Sequence, residues 1–121
     1  MKKLLIGVIL GSVMLMSCQK EKAVESVFVY ECVDTISYAG LIVPEIIDMS
    51  CNVSGCHDNT NKGDITLKDY TSVSDNADLI YNVISHAPGA TQMPIGLGAK
   101  KLSDSLIAQF KCWIDQGKLD N

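Results

Sequence analysis

Residues 51–58 of the chain read CNVSGCHD. Cys51 and Cys56 are separated by four residues, and His57 follows the second cysteine directly. Two cysteines separated by two residues and followed by histidine are the usual signature of covalent haem attachment, so the gap here is two residues longer. The motif alone allows two interpretations: a haem-attachment site with a widened loop, or a Cys51–Cys56 disulfide beside an exposed histidine.

The chemistry of haem attachment constrains one part of this motif more than the other. Two cysteine sulfurs bond to the porphyrin edge, and the histidine after the second cysteine reaches the iron. This fixes the Cys56–His57 pair but tolerates extra residues before Cys56, because they can bulge outward, and Gly55 favours such a bulge. Zinc is a weaker alternative, since a structural zinc site takes four protein ligands and only three candidates cluster here.

The N-terminus of the 121-residue chain has the pattern of an export signal. Residues 1–17 contain two lysines and an apolar run, Leu4 to Met16, that is too short to span a bilayer comfortably. Leu15 to Cys18 resembles the lipobox of bacterial lipoproteins, which implies cleavage before Cys18 and lipidation of that cysteine. Acyl chains would anchor the protein to a membrane of the cell envelope, facing the periplasm or the cell surface. A plain signal peptide cut elsewhere is the alternative.

The charge of the chain excludes one class of partner. The formal net charge is −4 and becomes −6 without residues 1–17, because eight lysines then face fourteen Asp and Glu residues. The chain contains no arginine. Nucleic acid is therefore an unsuitable partner, because its binding requires neutralisation of phosphates. An acidic surface instead favours a protein partner with a basic patch.

The remaining chain divides into a lead-in and one small domain. Residues 18–36 are predicted to form the lipidated N-terminus, a tether and an apolar lead-in segment, and residues 37–121 the folded domain. Three helices are predicted: residues 37–50 with Ser37 as N-cap, residues 75–85 with Asp75 as cap, and a last helix from Ser103 to Gly117. Residues 67–73 are predicted to be irregular and residues 86–101 to form a loop.

Two methionines remain after residue 17, and they receive different predictions. Met49 lies two residues before Cys51 and is predicted to pack in the core. Met93 lies in the loop rich in Pro and Gly, which can place its sulfur over the iron. Ligation of haem by histidine and methionine is found in cytochromes c and raises the reduction potential. His86 is the alternative ligand, although a histidine at a helix end is more often a surface residue.

The order of these features over residues 37–117 resembles small mono-haem cytochrome c domains of exported bacterial proteins. The matching runs are residues 38–73 and 93–117, and the likeness is greatest to lipoproteins with a Cys-x4-Cys-His motif. The resemblance implies an all-α, cytochrome c-like fold of about three helices with long loops around one covalently attached haem c. It also implies that Cys51 and Cys56 attach the haem, with His57 and Met93 as the iron ligands.

The expected function is therefore electron transfer rather than enzymatic catalysis. The protein would be a membrane-tethered c-type cytochrome that carries single electrons between exported redox proteins of the cell envelope. The alternative is a haem-free lipoprotein, acting as a binding or structural module stapled by two disulfides.

Cys32 and Cys112 are the cysteines left once lipid and haem are assigned to the other three. At about 100° per residue around the helix axis, counted from Leu106, the apolar stripe of the last helix centres at about 30°. Cys112 lies at about 240° on the same scale and is predicted to face away from the core. The stripe comprises Leu106, Ile107, Phe110, Trp113 and Ile114. Exported proteins seldom keep exposed free thiols, so we predict a Cys32–Cys112 disulfide that clamps the lead-in segment to this helix. Two free thiols are the alternative.

Overall fold

The computed structural model describes residues 29–60, 63–96 and 98–121, so the predicted signal peptide and Cys18 lie outside the described residues. Within these ranges the chain forms four helices and no strand, which confirms the predicted all-helical fold. The first to fourth helices are Tyr38–Cys51, Tyr70–Asp75, Ala77–Ile84 and Asp104–Asp115. The fourth helix packs against the first and the third. None of the described helices is both long enough and apolar enough to cross a membrane.

The first helix leads directly into the cysteine motif. Ser37 caps its start, because its side chain accepts a hydrogen bond from the Gly40 amide at 3.0 Å. Its turns have the wide spacing of a π-helix, as in the 2.7 Å bond from the Asn52 amide to the Ile47 carbonyl oxygen. Pro44 lies inside the helix, where it has no amide hydrogen to donate and its ring would clash with the preceding turn of a regular α-helix. The wider turn accommodates this proline.

The count of four helices arises from a short helix that the sequence pattern did not indicate. Tyr70–Asp75 replaces the irregular segment predicted for residues 67–73. Asp69 caps this helix by accepting from the Ser72 amide at 2.8 Å, and the Ser72 hydroxyl accepts from the Asp69 amide at 3.3 Å. The predicted cap, Asp75, instead ends this helix, so that prediction is wrong.

The remaining two helices lie close to their predicted positions. The third helix, Ala77–Ile84, follows Asn76, whose side chain makes no capping bond. The fourth helix begins after Ser103, whose hydroxyl accepts from the Leu106 amide at 3.2 Å. Gly117 follows this helix with a φ of 92°, as expected for a glycine that ends a helix.

Aromatic side chains form the centre of the core. Trp113 is fully buried, stacks on Tyr38 at a ring-centroid distance of 5.5 Å and contacts Phe110 at 5.5 Å. Tyr70 meets Tyr38 edge-on at 5.1 Å. The indole N–H of Trp113 donates to the Leu119 carbonyl oxygen at 2.9 Å, so this large side chain is buried without an unpaired polar atom.

The lead-in segment is fixed to the outer side of the fourth helix. The predicted disulfide between Cys32 and Cys112 is present, with a Cα–Cα distance of 5.5 Å. Gln116 adds two bonds, accepting from the Ile36 amide at 2.9 Å and donating to the Asp34 carbonyl oxygen at 2.8 Å. Cys112 is only 2% exposed, because the lead-in segment covers this side of the helix.

We expect Cys32→Ala to destabilise the domain. The disulfide joins residues 80 positions apart, and constraining an unfolded chain in a loop of that length contributes on the order of 4 kcal/mol. Denaturant unfolding under non-reducing conditions should therefore show a large fall in the unfolding free energy. Val33→Ala is the matched control, because Val33 is 80% exposed and its truncation should change stability by less than about 0.5 kcal/mol. Equal stability of Cys32→Ala and the parent chain would contradict a stabilising role for the disulfide.

Candidate cofactor-binding cleft

A cleft of about 750 Å³ opens between the loops that carry the cysteine motif and Met93. Its volume lies within the range of about 300–1,000 Å³ that is usual for small-molecule and cofactor sites. Cys51, Cys56, His57 and Met93 all line it. The structure thus brings together the four side chains that the sequence analysis assigned to one cofactor, although Met93 lies far along the chain from the other three.

The two additional residues of the widened motif are accommodated in a turn. The Cys56 amide donates to the Val53 carbonyl oxygen at 3.0 Å, which closes a four-residue turn. Gly55 has a φ of 82° and lies at the third position of this turn, where a type II turn requires a positive φ. The His57 amide reaches back to the Cys51 carbonyl oxygen at 3.1 Å. The longer gap is therefore compatible with both cysteines lining the same cleft.

His57 is oriented by a backbone hydrogen bond. Its Nδ1 lies 2.8 Å from the Ile65 carbonyl oxygen, which can only accept, so Nδ1 carries the proton. In the neutral ring this leaves Nε2 unprotonated and able to bind a metal. Metal-binding histidines commonly donate their other ring nitrogen to a carbonyl or carboxylate in this way. The bond from the Leu67 amide to the His57 carbonyl oxygen, at 2.8 Å, fixes the same segment from the backbone side.

Gly63 gives the His57 ring the space it occupies. A Cβ atom on Gly63 would lie 2.5 Å from both Cε1 and Nδ1 of His57, which is closer than real contacts allow. The Gly63 amide also donates to the Cys56 carbonyl oxygen at 3.1 Å. Sequence reasoning did not identify Gly63 as a site residue, because its role depends on a contact through space.

The Met93 backbone is fixed at both its polar groups. Its amide donates to the Val83 carbonyl oxygen at 3.1 Å, and His86 Nε2 lies 3.1 Å from its carbonyl oxygen. His86, the alternative iron ligand, does not line the cleft. Of the two candidate iron ligands, Met93 thus lines the cleft, whereas His86 is hydrogen-bonded to the Met93 backbone.

The rest of the cleft wall is mostly apolar, and its rim includes exposed hydrophobic side chains. The third helix contributes Leu79, Ile80, Val83 and Ile84 to this wall. Met49 is 70% exposed at the rim, so its predicted place in the core is wrong. Ile95 is 68% and Leu79 50% exposed. An apolar cofactor would cover surface that water otherwise contacts.

Lys100 is the one Lys, Asp or Glu among the described residues that line the cleft. Its ammonium group can pair with a carboxylate at the cleft edge. The indole of Trp113 is not available for this role, because it is buried in the core and bonded to Leu119.

Both cysteines of the motif are free thiols in this structure. Cys51 is buried at the end of the first helix, and burial raises the pKa of its thiol to about 11, with a smaller contribution from Cys56. The described residues contain no group of three or more His, Cys, Asp or Glu side chains that could hold a metal ion, as a zinc site would need. A haem makes a different demand, because cysteines bond to its porphyrin edge and only the axial side chains reach the metal.

Comparisons of this chain with protein-family models, curated proteins and solved structures gave no match. The residues of the site combine an apolar cleft, two thiols, an oriented imidazole and a thioether, which together suit a large, flat, apolar cofactor that carries a metal.

We expect Gly63→Ala to displace the His57 imidazole. The φ of Gly63 is not in the left-handed region, so the loss of stability arises from the clash with the ring and not from backbone strain. Forcing an extra methyl into a filled space typically costs about 1–3 kcal/mol, which denaturant unfolding would measure. In a His57→Ala background the same substitution should have a much smaller effect, because the ring is absent.

Gly89→Ala is the control for this experiment. A Cβ at Gly89 meets no atom within 4 Å, although its φ of 84° makes any side chain strained. It should lower stability through that strain but leave the NMR signals of the His57 ring unchanged. A Gly63→Ala protein with unshifted His57 signals would contradict the contact described above.

Proposed function

We propose that the chain is a membrane-tethered c-type cytochrome that carries single electrons between redox proteins of the cell envelope. The observation that carries the proposal is the convergence of Cys51, Cys56, His57 and Met93 on one apolar cleft. Haem bound in the cleft would supply an iron centre that exchanges one electron at a time. The other features of the site concern how the chain would hold that group.

Each of the four side chains has a distinct part in holding the haem. Cys51 and Cys56 would form the two thioether bonds, and the turn over residues 53–56 lets both reach the cleft. His57 would bind the iron through Nε2, because Nδ1 is bonded to the Ile65 carbonyl oxygen. Met93 would provide the sixth ligand. With His57 and Met93 both holding the iron, the site would suit electron transfer rather than substrate binding at the metal.

The environment of the cleft fits a haem as well. Its apolar wall from the third helix would cover the porphyrin, and Lys100, which lines the cleft, would pair with a propionate. Hydrophobic side chains at the rim, including Met49 and Ile95, are exposed without a cofactor. Their burial would contribute about 25 cal/mol for each Å² of apolar surface removed from water.

The proposed location and partners follow from the N-terminal sequence and the charge. Lipid on Cys18 would hold the domain at a bacterial membrane, facing the periplasm or the cell surface. A net charge of −6 after removal of the signal peptide, from eight lysines and fourteen acidic residues, would favour redox partners with a basic patch.

The proposal predicts covalent haem after expression of the full chain together with a haem-attachment system. The purified protein should show a Soret band, gain the mass of one haem, and keep its haem through extraction with acidified organic solvent. Cys51→Ala and Cys56→Ala should each leave a single thioether bond, which shifts the pyridine haemochrome band. Ser54→Ala is the control, because Ser54 lies in the same turn but does not line the cleft.

The alternative gives a different result in the same experiment. A haem-free module stapled by two disulfides would show no Soret band, and peptide mapping would find Cys51 bonded to Cys56.

Within the haem proposal, Met93→Ala should remove the far-red sulfur-to-iron band of the ferric protein and allow carbon monoxide to bind the ferrous protein. Carbon monoxide binding by the parent chain would instead indicate a ligand sensor with a weakly held sixth position.

A further inference from the structure

We infer that His86 is a positioning residue for Met93: its imidazole holds the Met93 backbone so that the methionine side chain stays in the cleft. The effect on iron ligation rests on the proposed function. The hydrogen bond does not, so the two can be tested separately.

The hydrogen bond between His86 and Met93 has a defined direction. His86 Nε2 lies 3.1 Å from the Met93 carbonyl oxygen, which can only accept, so Nε2 must donate. A ring nitrogen that carries this proton cannot bind a metal at the same time. The bond spans seven residues and ties the end of the third helix to the loop that enters the cleft.

A second hydrogen bond fixes Met93 from its amide side. The Met93 amide donates to the Val83 carbonyl oxygen at 3.1 Å, and Val83 is itself part of the third helix and of the cleft wall. The two bonds attach both polar backbone groups of Met93 to the same helix end. Without His86, only the amide bond would remain, and rotation about it would allow the Met93 side chain to leave the cleft.

His86 itself has an unusual backbone conformation. Its φ of 60° lies in the left-handed region, which is uncommon for a residue other than glycine. Helices frequently end with a glycine in this conformation because it has no Cβ. His86 occupies the left-handed conformation at the end of the third helix, and it has a side chain that reaches the Met93 carbonyl. A glycine would relieve the strain but could not make this bond.

These features allow the role of the side chain to be separated from the role of the turn. His86→Gly keeps the left-handed backbone accessible and removes the ring. His86→Gln keeps an amide N–H group at a similar reach. If the ring positions Met93, the glycine variant should lose the effect and the glutamine variant should restore much of it.

The first experiment is hydrogen–deuterium exchange of the Met93 amide in the full chain as isolated, with or without cofactor. Exchange should be roughly five- to ten-fold faster in His86→Gly, as expected for the loss of one supporting hydrogen bond, and closer to the parent rate in His86→Gln. The Leu67 amide, which donates to the His57 carbonyl oxygen, is the internal reference and should not change. Unchanged exchange at Met93 in His86→Gly would overturn the inference.

The second experiment uses the haem-loaded protein and measures iron ligation. In His86→Gly the far-red sulfur-to-iron band should be lost at a lower temperature than in the parent protein, and imidazole should bind the ferric iron with roughly five- to ten-fold higher affinity. His86→Gln should reverse part of both changes. If His86 were itself the iron ligand, the parent protein would lack the sulfur band and His86→Gly would become high-spin, which would also overturn the inference.

Failure of the proposed function has a different signature. If the chain binds no haem, the second experiment shows no haem absorption bands. The exchange rate of the Met93 amide still reports whether His86 holds the Met93 backbone. In that case the absence of haem would reject the cytochrome. Faster exchange of the Met93 amide in His86→Gly would still support the positioning role.

Discussion

The hydrogen bond from His57 Nδ1 to the Ile65 carbonyl oxygen determines how the loop after the first helix must run. To place that carbonyl beside the ring, the chain has to leave Cys56, turn, and return within eight residues. Gly63 makes this return possible because it lies against the ring, where any side chain would clash. The same return carries Leu67 into the core, so the orientation of one imidazole and the path of the loop depend on each other.

The folded state has two sides with different requirements. On one side, an aromatic cluster forms the core, made of Trp113, Phe110, Tyr38 and Tyr70. The disulfide holds the lead-in segment against the fourth helix, which carries Phe110 and Trp113. On the other side, the third helix presents apolar side chains to a cleft that no described part of the chain fills. Small domains commonly complete their cores with a disulfide or a bound group. The disulfide completes the first side of this domain, and the second has the size and polarity to be completed by a cofactor.

The features that could be predicted from the sequence are those encoded by neighbouring residues. Ser37 and Ser103 are caps because a hydroxyl immediately before an apolar helical pattern is a local signal. The disulfide was predictable because the helical period determines the side of the fourth helix on which Cys112 lies. The second helix escaped prediction because its capping pair, Asp69 and Ser72, lacks the usual Glu or Gln partner.

The remaining features of the site depend on contacts between distant residues. Proximity to Cys51 suggested a buried Met49, but the last turn of the first helix points this side chain outward. The roles of Gly63 and His86 come from a ring and a carbonyl that sequence spacing does not reveal.

The attachment of the lead-in segment has a mechanical consequence. A pull between the N-terminal and C-terminal sides of the chain would pass through the covalent bond between Cys32 and Cys112, which lies in the last turn of the fourth helix. Residues 33–36 and the first helix lie beyond that junction along the chain, so they would be shielded from tension. Such tension would therefore bypass the residues between Cys32 and Cys112, and the loops that form the cleft would stay unloaded.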